Sequence, residues 1–122
     1  MGSFSGQFYC FLKGLVDAGR GIVIALKDQR NLKIHLLATI LVVAAGFYFP
    51  IRSNEWLILL LTIGLVWTAE LLNTAIEYLT DLITKDHHAL ARKAKDASAG
   101  GVLTAAIIAL IIAIIIFGKH FT

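Results

Sequence analysis

Three carboxylates share one helical face in the stretch ELLNTAIEYLTD, residues 70 to 81, which continues the apolar run WLILLLTIGLVWTA without a Gly or Pro. At about 100° per residue, Glu70, Asn73, Thr74, Glu77 and Asp81 fall on one stripe that runs about 16 Å along the axis. An acidic residue at mid-membrane depth costs roughly 2.5 to 3.5 kcal/mol, whereas each Leu or Ile returns only about 0.3 to 0.6 kcal/mol. Polar glue between helices requires no more than an Asn or a Thr. Glu70 and Glu77 therefore read as an ion or proton site, while Asp81 fits the aqueous interface. A second cluster follows in KDHHALARKAKDASAGG, residues 85 to 101, where Lys95 and Asp96 stand just before a third apolar run. Hard carboxylate oxygens suit Mg²⁺, which is usually held by one or two carboxylates together with substrate phosphates. A lysine beside them suits a phosphate oxygen.

Other chemistries have little footing. The sequence has no GxxxxGK[ST] loop, protein-kinase signature, GxSxG or HExxH. His87 and His88 are adjacent and cannot share a helical face, so they read as residues that cap or border a loop rather than as a zinc pair. His35, two residues after Lys33 at the head of an apolar run, reads as an interfacial histidine. Cys10, the one cysteine, excludes an intrachain disulfide and reads as a small apolar residue.

The elements that position these groups follow from composition. With 122 residues and 58% hydrophobic content, the chain has room for one domain and is more apolar than soluble domains are. The runs Ile34 to Ile51 and Ala97 to Gly118 approach the roughly 20 residues that span a bilayer. The middle run, Trp56 to Ala69, becomes long enough when the polar stripe belongs to the same helix. The expected spans are about 33–51, 55–83 and 97–118. Ahead of them, Phe4, Phe8, Phe11, Leu12, Leu15, Ile22 and Leu26 recur at helical spacing opposite Lys13, Asp17, Arg20 and Lys27. This predicts an amphipathic surface helix over about 4–30, with Gly14, Gly19 and Gly21 as weak points.

The N-terminus lacks the layout of a cleaved signal, so no removal is expected. A net charge of +3 permits nucleic-acid binding, but the charges are placed as a topology signal. Nine lie before the first span or between the second and third, against only Arg52 and Lys119 elsewhere. The positive-inside rule puts the N-terminus and the 84–96 loop in the cytoplasm and the C-terminus outside. Ser98, Ala99, Gly100 and Gly101 give the third span a slim first turn that admits a neighbouring backbone or a ligand.

The segments ALKDQRNLKIHLL (25–37), AELLNTAIEYLTDL (69–82) and HHALARKAKDASAGGVL (87–103) together resemble the small bacterial membrane kinases that comprise diacylglycerol kinase and undecaprenol kinase. The resemblance covers nearly the whole chain and implies one all-α integral-membrane domain over 1–122. It also implies a homotrimer with active sites shared between subunits, and transfer of the γ-phosphate of MgATP to a lipid hydroxyl. By the same resemblance, Glu70 is the base that works on the acceptor, with Asn73 beside it and Ser98 near the substrate. Glu77 binds metal and nucleotide, and Lys95 and Asp96 handle ATP with Asp86 and His88. The family usually places a second metal-binding glutamate where this chain has Gln29. A glutamine carbonyl still ligates a cation, but the site loses one negative charge, and Asp28 is the nearest replacement. Diacylglycerol and undecaprenol stand as joint acceptors. The competing readings are a catalytically weakened or non-enzymatic membrane trimer and a small proton-coupled transporter using Glu70.

Overall fold

The computed structural model describes residues 3–122. Four helices follow in order: α1 (Phe4–Asp28), α2 (Arg30–Tyr48), α3 (Ser53–Ile83) and α4 (Ala89–Gly118), with a 3₁₀ turn at Lys119–Phe121; no strand occurs among the described residues. The helix α1 starts on a Ser3 side chain that accepts from Gly6 N–H at 3.3 Å, and Gly14, Gly19 and Gly21 do not interrupt it. It ends at Gln29, whose extended backbone (φ −107°, ψ 117°) turns the chain into α2.

Proline sets the end of α2. Pro50 disfavours helical backbone at the residue before it, and Phe49 is extended at φ −91°, ψ 146°. The helix therefore stops at Tyr48, short of Ile51. After a turn, α3 begins, and Glu55 accepts from the Arg52 backbone N–H at 3.0 Å. His88 Nδ1 accepts from Leu90 N–H at 3.2 Å and caps α4, so that helix begins at Ala89, well before Ala97. The small residues Ser98 to Gly101 consequently lie inside α4 and not in its first turn.

α2, α3 and α4 are each long and apolar enough to cross a membrane. At about 1.5 Å per residue α3 is roughly 45 Å long, so it extends beyond a hydrocarbon core of about 30 Å. Burial is inverted relative to a soluble bundle. The buried face of α3 carries Glu55, Thr62, Glu70, Asn73, Thr74 and Thr80 with Leu59 and Val66, while Leu57, Leu61, Leu72 and Leu82 point outward. An apolar solvent makes this favourable, because polar groups gain by pairing inside the bundle while Leu and Ile lose nothing by facing lipid. Threonine hydroxyls are satisfied locally: Thr62, Thr74 and Thr80 donate to the carbonyls of Ile58, Glu70 and Glu77 at 2.7–3.0 Å.

α3 packs chiefly on α4 and less on α2, and α1 touches α2 and α3. In α1 only Ala25 is buried, and Phe4, Phe8, Phe11 and Leu15 stay exposed. At the far end of the bundle, Gly46 lets the Trp56 indole lie against the α2 backbone. A Cβ at position 46 would come within 2.5 Å of that ring.

Candidate active site

Because α2 runs antiparallel to α3 and α3 to α4, the start of α2, the end of α3 and the start of α4 meet at one end of the bundle. Four cross-helix pairs are stacked there. The outermost is Asp81, whose Oδ1 accepts from Lys95 Nζ at 2.6 Å. Next, the Tyr78 hydroxyl donates to Asp28 Oδ2 at 2.7 Å. Deeper, Ser98 Oγ donates to Asn73 Oδ1 at 2.6 Å, and Asn73 Nδ2 donates to Glu77 Oε1 at 3.3 Å. Deepest is Glu70, 1% exposed, with its Oε2 lying 3.4 Å from His35 Nε2.

Glu70 is the chemically unusual member. Its Oε2 is buried and has no hydrogen-bond partner among the described residues. A buried carboxylate oxygen without a donor is costly and is expected where a ligand completes the site. Beside it, His35 lines an apolar groove of about 320 Å³ between α2, α3 and α4 together with Ala38, Val42, Val66 and Ala106. The groove wall is pinned by Trp67, whose indole N–H donates to Thr39 Oγ1 at 2.9 Å, while that hydroxyl donates to the His35 carbonyl at 2.7 Å.

Several residues singled out in the sequence are brought together and others are not. Glu70, Asn73 and Glu77 share one face of α3, and Ser98 joins them from α4. Lys95 and Asp96 diverge: Lys95 reaches Asp81 on α3, whereas Asp96 pairs with Arg92 along its own helix at 3.3 Å. Asp86 lies in the exposed loop, its N–H on Thr84 Oγ1, and His88 is occupied as the α4 cap. Gly100 and Gly101 have no atom of another helix within 4 Å of where a Cβ would stand, so they do not form the contact with α3, which Ser98 reaches through Asn73. His35 is not simply interfacial, since its ring turns inward to Glu70.

His35 and Tyr78 are the two residues whose roles sequence reasoning missed. For His35 a signal existed: an ionisable group within an apolar run, the criterion that singled out Glu70. Tyr78 gave none, because a tyrosine near a membrane boundary is ordinary.

Magnesium fits the oxygen donors at the outer end of this stack. Glu77, Asp28 and Gln29 all lie near the Tyr78 hydroxyl. No cluster of three or more His, Cys, Asp or Glu occurs among the described residues. Two carboxylates and an amide oxygen are nonetheless what Mg²⁺ takes from a protein when phosphates and water fill its other positions.

The sequence model of the prokaryotic diacylglycerol kinase family matches residues 17–117. Undecaprenol kinase of Bacillus subtilis is 47% identical over 107 residues, covering 88% of this chain and 87% of the relative. Diacylglycerol kinase of Escherichia coli is 33% identical over 114 residues, covering 93% of each. Diacylglycerol kinase of Synechocystis is 41% identical over 96 residues, which is 78% of this chain and 55% of that protein. The chain belongs to the prokaryotic diacylglycerol kinase family and is by class a membrane lipid kinase.

Proposed function

We propose that this chain transfers the γ-phosphate of MgATP to the hydroxyl of a membrane lipid at the cytoplasmic face of a bacterial inner membrane. Undecaprenol is the first acceptor and diacylglycerol the second, because the undecaprenol kinase of B. subtilis shares the higher identity. The observation that carries the reading is the buried Glu70 with an unbonded oxygen, followed outward by Asn73–Glu77 and Lys95–Asp81.

Depth supports it. With Glu55 at one edge of a hydrocarbon core of about 30 Å, Glu70 lies roughly 8 Å inside the other edge and Glu77 roughly at that edge. A lipid hydroxyl near the headgroup boundary and phosphates just outside it match that order. The apolar groove lined by His35, which neighbours Glu70, suits a hydrocarbon chain.

Phosphoryl transfer requires in-line placement and neutralisation of phosphate charge more than covalent help. Glu70 orients the lipid hydroxyl and takes its proton as oxygen attacks phosphorus. Asn73 holds Glu77 through its amide and is itself held by Ser98 at the substrate side. Lys95 exchanges Asp81 for the γ-phosphate, a stronger multidentate anion. Asp86, His88 and Asp96 border the nucleotide from the loop and the start of α4. Glu77 with Gln29 or Asp28 would hold a magnesium ion, which would supply neutralisation of phosphate charge when bound.

The charge distribution supports an N-terminus inside and a C-terminus outside. α1 then lies along the cytoplasmic leaflet as an amphipathic surface helix. The exposed small residues of α4 support association with neighbouring helices, and the homotrimer with shared sites is what the family resemblance implies.

The test is incubation of purified protein in lipid vesicles with labelled ATP, Mg²⁺ and each acceptor in turn. Label is expected on undecaprenol; label on neither lipid refutes the kinase reading for this chain. A second measurement addresses the metal. Gln29→Glu is expected to lower the Mg²⁺ concentration for half-maximal rate by roughly fivefold, about 1 kcal/mol. An unchanged requirement places residue 29 away from the cation.

A further inference from the structure

We infer that His35 is a positioning residue for Glu70, keeping that carboxylate ionised before phosphoryl transfer and carrying its proton away afterwards; this rests on the kinase reading above. The geometry is specific. His35 Nε2 lies 3.4 Å from Glu70 Oε2, the oxygen that has no hydrogen-bond partner, and the two side chains are 20% and 1% exposed. The Glu70 carboxylate is sealed within the bundle, whereas the imidazole is partly exposed. The backbone at His35 is tied to α3, because its carbonyl accepts the Thr39 hydroxyl and Thr39 accepts from Trp67.

Burial favours the neutral form of a carboxylic acid, and a neutral acid cannot take a proton from an alcohol. His35, 3.4 Å away, offsets that tendency whenever its ring carries a second proton. Among the described residues, His35 is the group beside Glu70 that can carry positive charge. Glu77 adds negative charge from the same helix, Lys95 of α4 is engaged by Asp81, and Asp28 of α1 is engaged by Tyr78.

In the step itself the lipid O–H bond breaks as its oxygen bonds to the γ-phosphorus, the bond from that phosphorus to the bridging oxygen of ADP breaks, and the proton goes to Glu70. The imidazolium then releases its proton to water and takes the one on Glu70. This restores the charged pair with one proton leaving per turnover.

The experiment compares wild type, His35→Gln and His35→Ala in vesicles, reading kcat and KM for ATP between acid and alkaline pH. For His35→Gln, kcat at neutral pH is expected to fall by about tenfold or more with KM for ATP unchanged. The acid side of its pH–rate profile is expected to move to higher pH, so that activity partly returns in alkali. Imidazole added to His35→Ala should restore part of the rate. A uniform loss at all pH values without rescue would mean that His35 only packs the site. Full activity with the wild-type profile would overturn the inference outright. Infrared spectroscopy of the wild type and His35→Gln gives a readout independent of turnover: a protonated-carboxyl band absent from wild type should appear at neutral pH, and its absence counts against the inference. Failure of the wild type itself to phosphorylate lipid would refute the kinase reading, a different result from active variants.

Discussion

Glu55 and Glu70 lie on the same buried face of α3, about 22 Å apart along its axis, and their surroundings differ in one respect that separates structure from chemistry. Glu55 is fully paired. Its two oxygens receive Lys119 Nζ at 2.9 and 2.7 Å, and Oε1 also accepts the Arg52 backbone N–H. Around it, Phe49 packs on Phe117, His120 and Phe121 with ring centroids 4.9–6.0 Å apart, and Trp56 sits on Gly46. Across the helices Glu70 faces His35, 3.4 Å away without a hydrogen bond, and it keeps one free oxygen. A closed carboxylate ties two helix ends together, while an open one retains capacity for a substrate. Membrane-buried acids are therefore not functional merely by being buried; the number of donors already engaged distinguishes them.

The sharpest way to separate the two ends is to remove each charge in turn. Glu70→Gln is expected to lower turnover by about 10³-fold, roughly 4 kcal/mol of transition-state stabilisation, with the helices still assembled. Turnover at the wild-type level in that variant removes Glu70 as the base. Glu55→Gln should do the reverse. It breaks a hydrogen-bonded ion pair whose lysine is partly exposed and able to turn to water, so stability in detergent should drop by roughly 2 kcal/mol while kcat holds. Thermal unfolding followed by tryptophan fluorescence measures it, and a parallel fall in kcat would show that the two ends are coupled.

Gly46→Ala probes the structural end by packing alone. The added methyl forces Trp56 to shift, a loss of about 1 to 2 kcal/mol accompanied by a changed tryptophan emission. Unaltered emission and melting would mean that the indole is free to move aside. The smallest effect is expected at the chemical end from Ser98→Ala, which removes the hydrogen bond to Asn73 Oδ1. A decrease in kcat of roughly fivefold, about 1 kcal/mol, is expected with KM for ATP unchanged. A change confined to KM for the lipid would assign Ser98 to substrate binding rather than to holding Asn73.

Much of this site was legible in the chain. Glu70, Asn73 and Glu77 announce themselves because a carboxylate in an apolar helix is expensive, and their spacing puts them on one face whatever the helix packs against. His35 was underrated because its residue type has an ordinary explanation at a membrane boundary, and only the register of α2 on α3 decides between that and a partner for Glu70. Lys95 and Asp96 look like a pair in sequence, yet adjacent residues on a helix point about 100° apart, and they find different partners. The early start of α4 escaped notice because Ala, Lys and Arg upstream of Ala97 are good helix formers but not apolar ones, so a search for apolar runs passes over them.

The sequence by itself determined the three apolar helices, the polar stripe, the asymmetric basic charge and, through its motifs, the family. Each of these rests on local periodicity or on composition, which survive any choice of neighbours. Tertiary structure alone decided that Glu55 is closed by Lys119, that Trp56 requires Gly46, that Lys95 rests on Asp81 and that His35 faces Glu70. Those contacts join residues far apart in the chain, and their existence depends on how one helix is rotated and shifted against the next, a quantity that no single helix encodes.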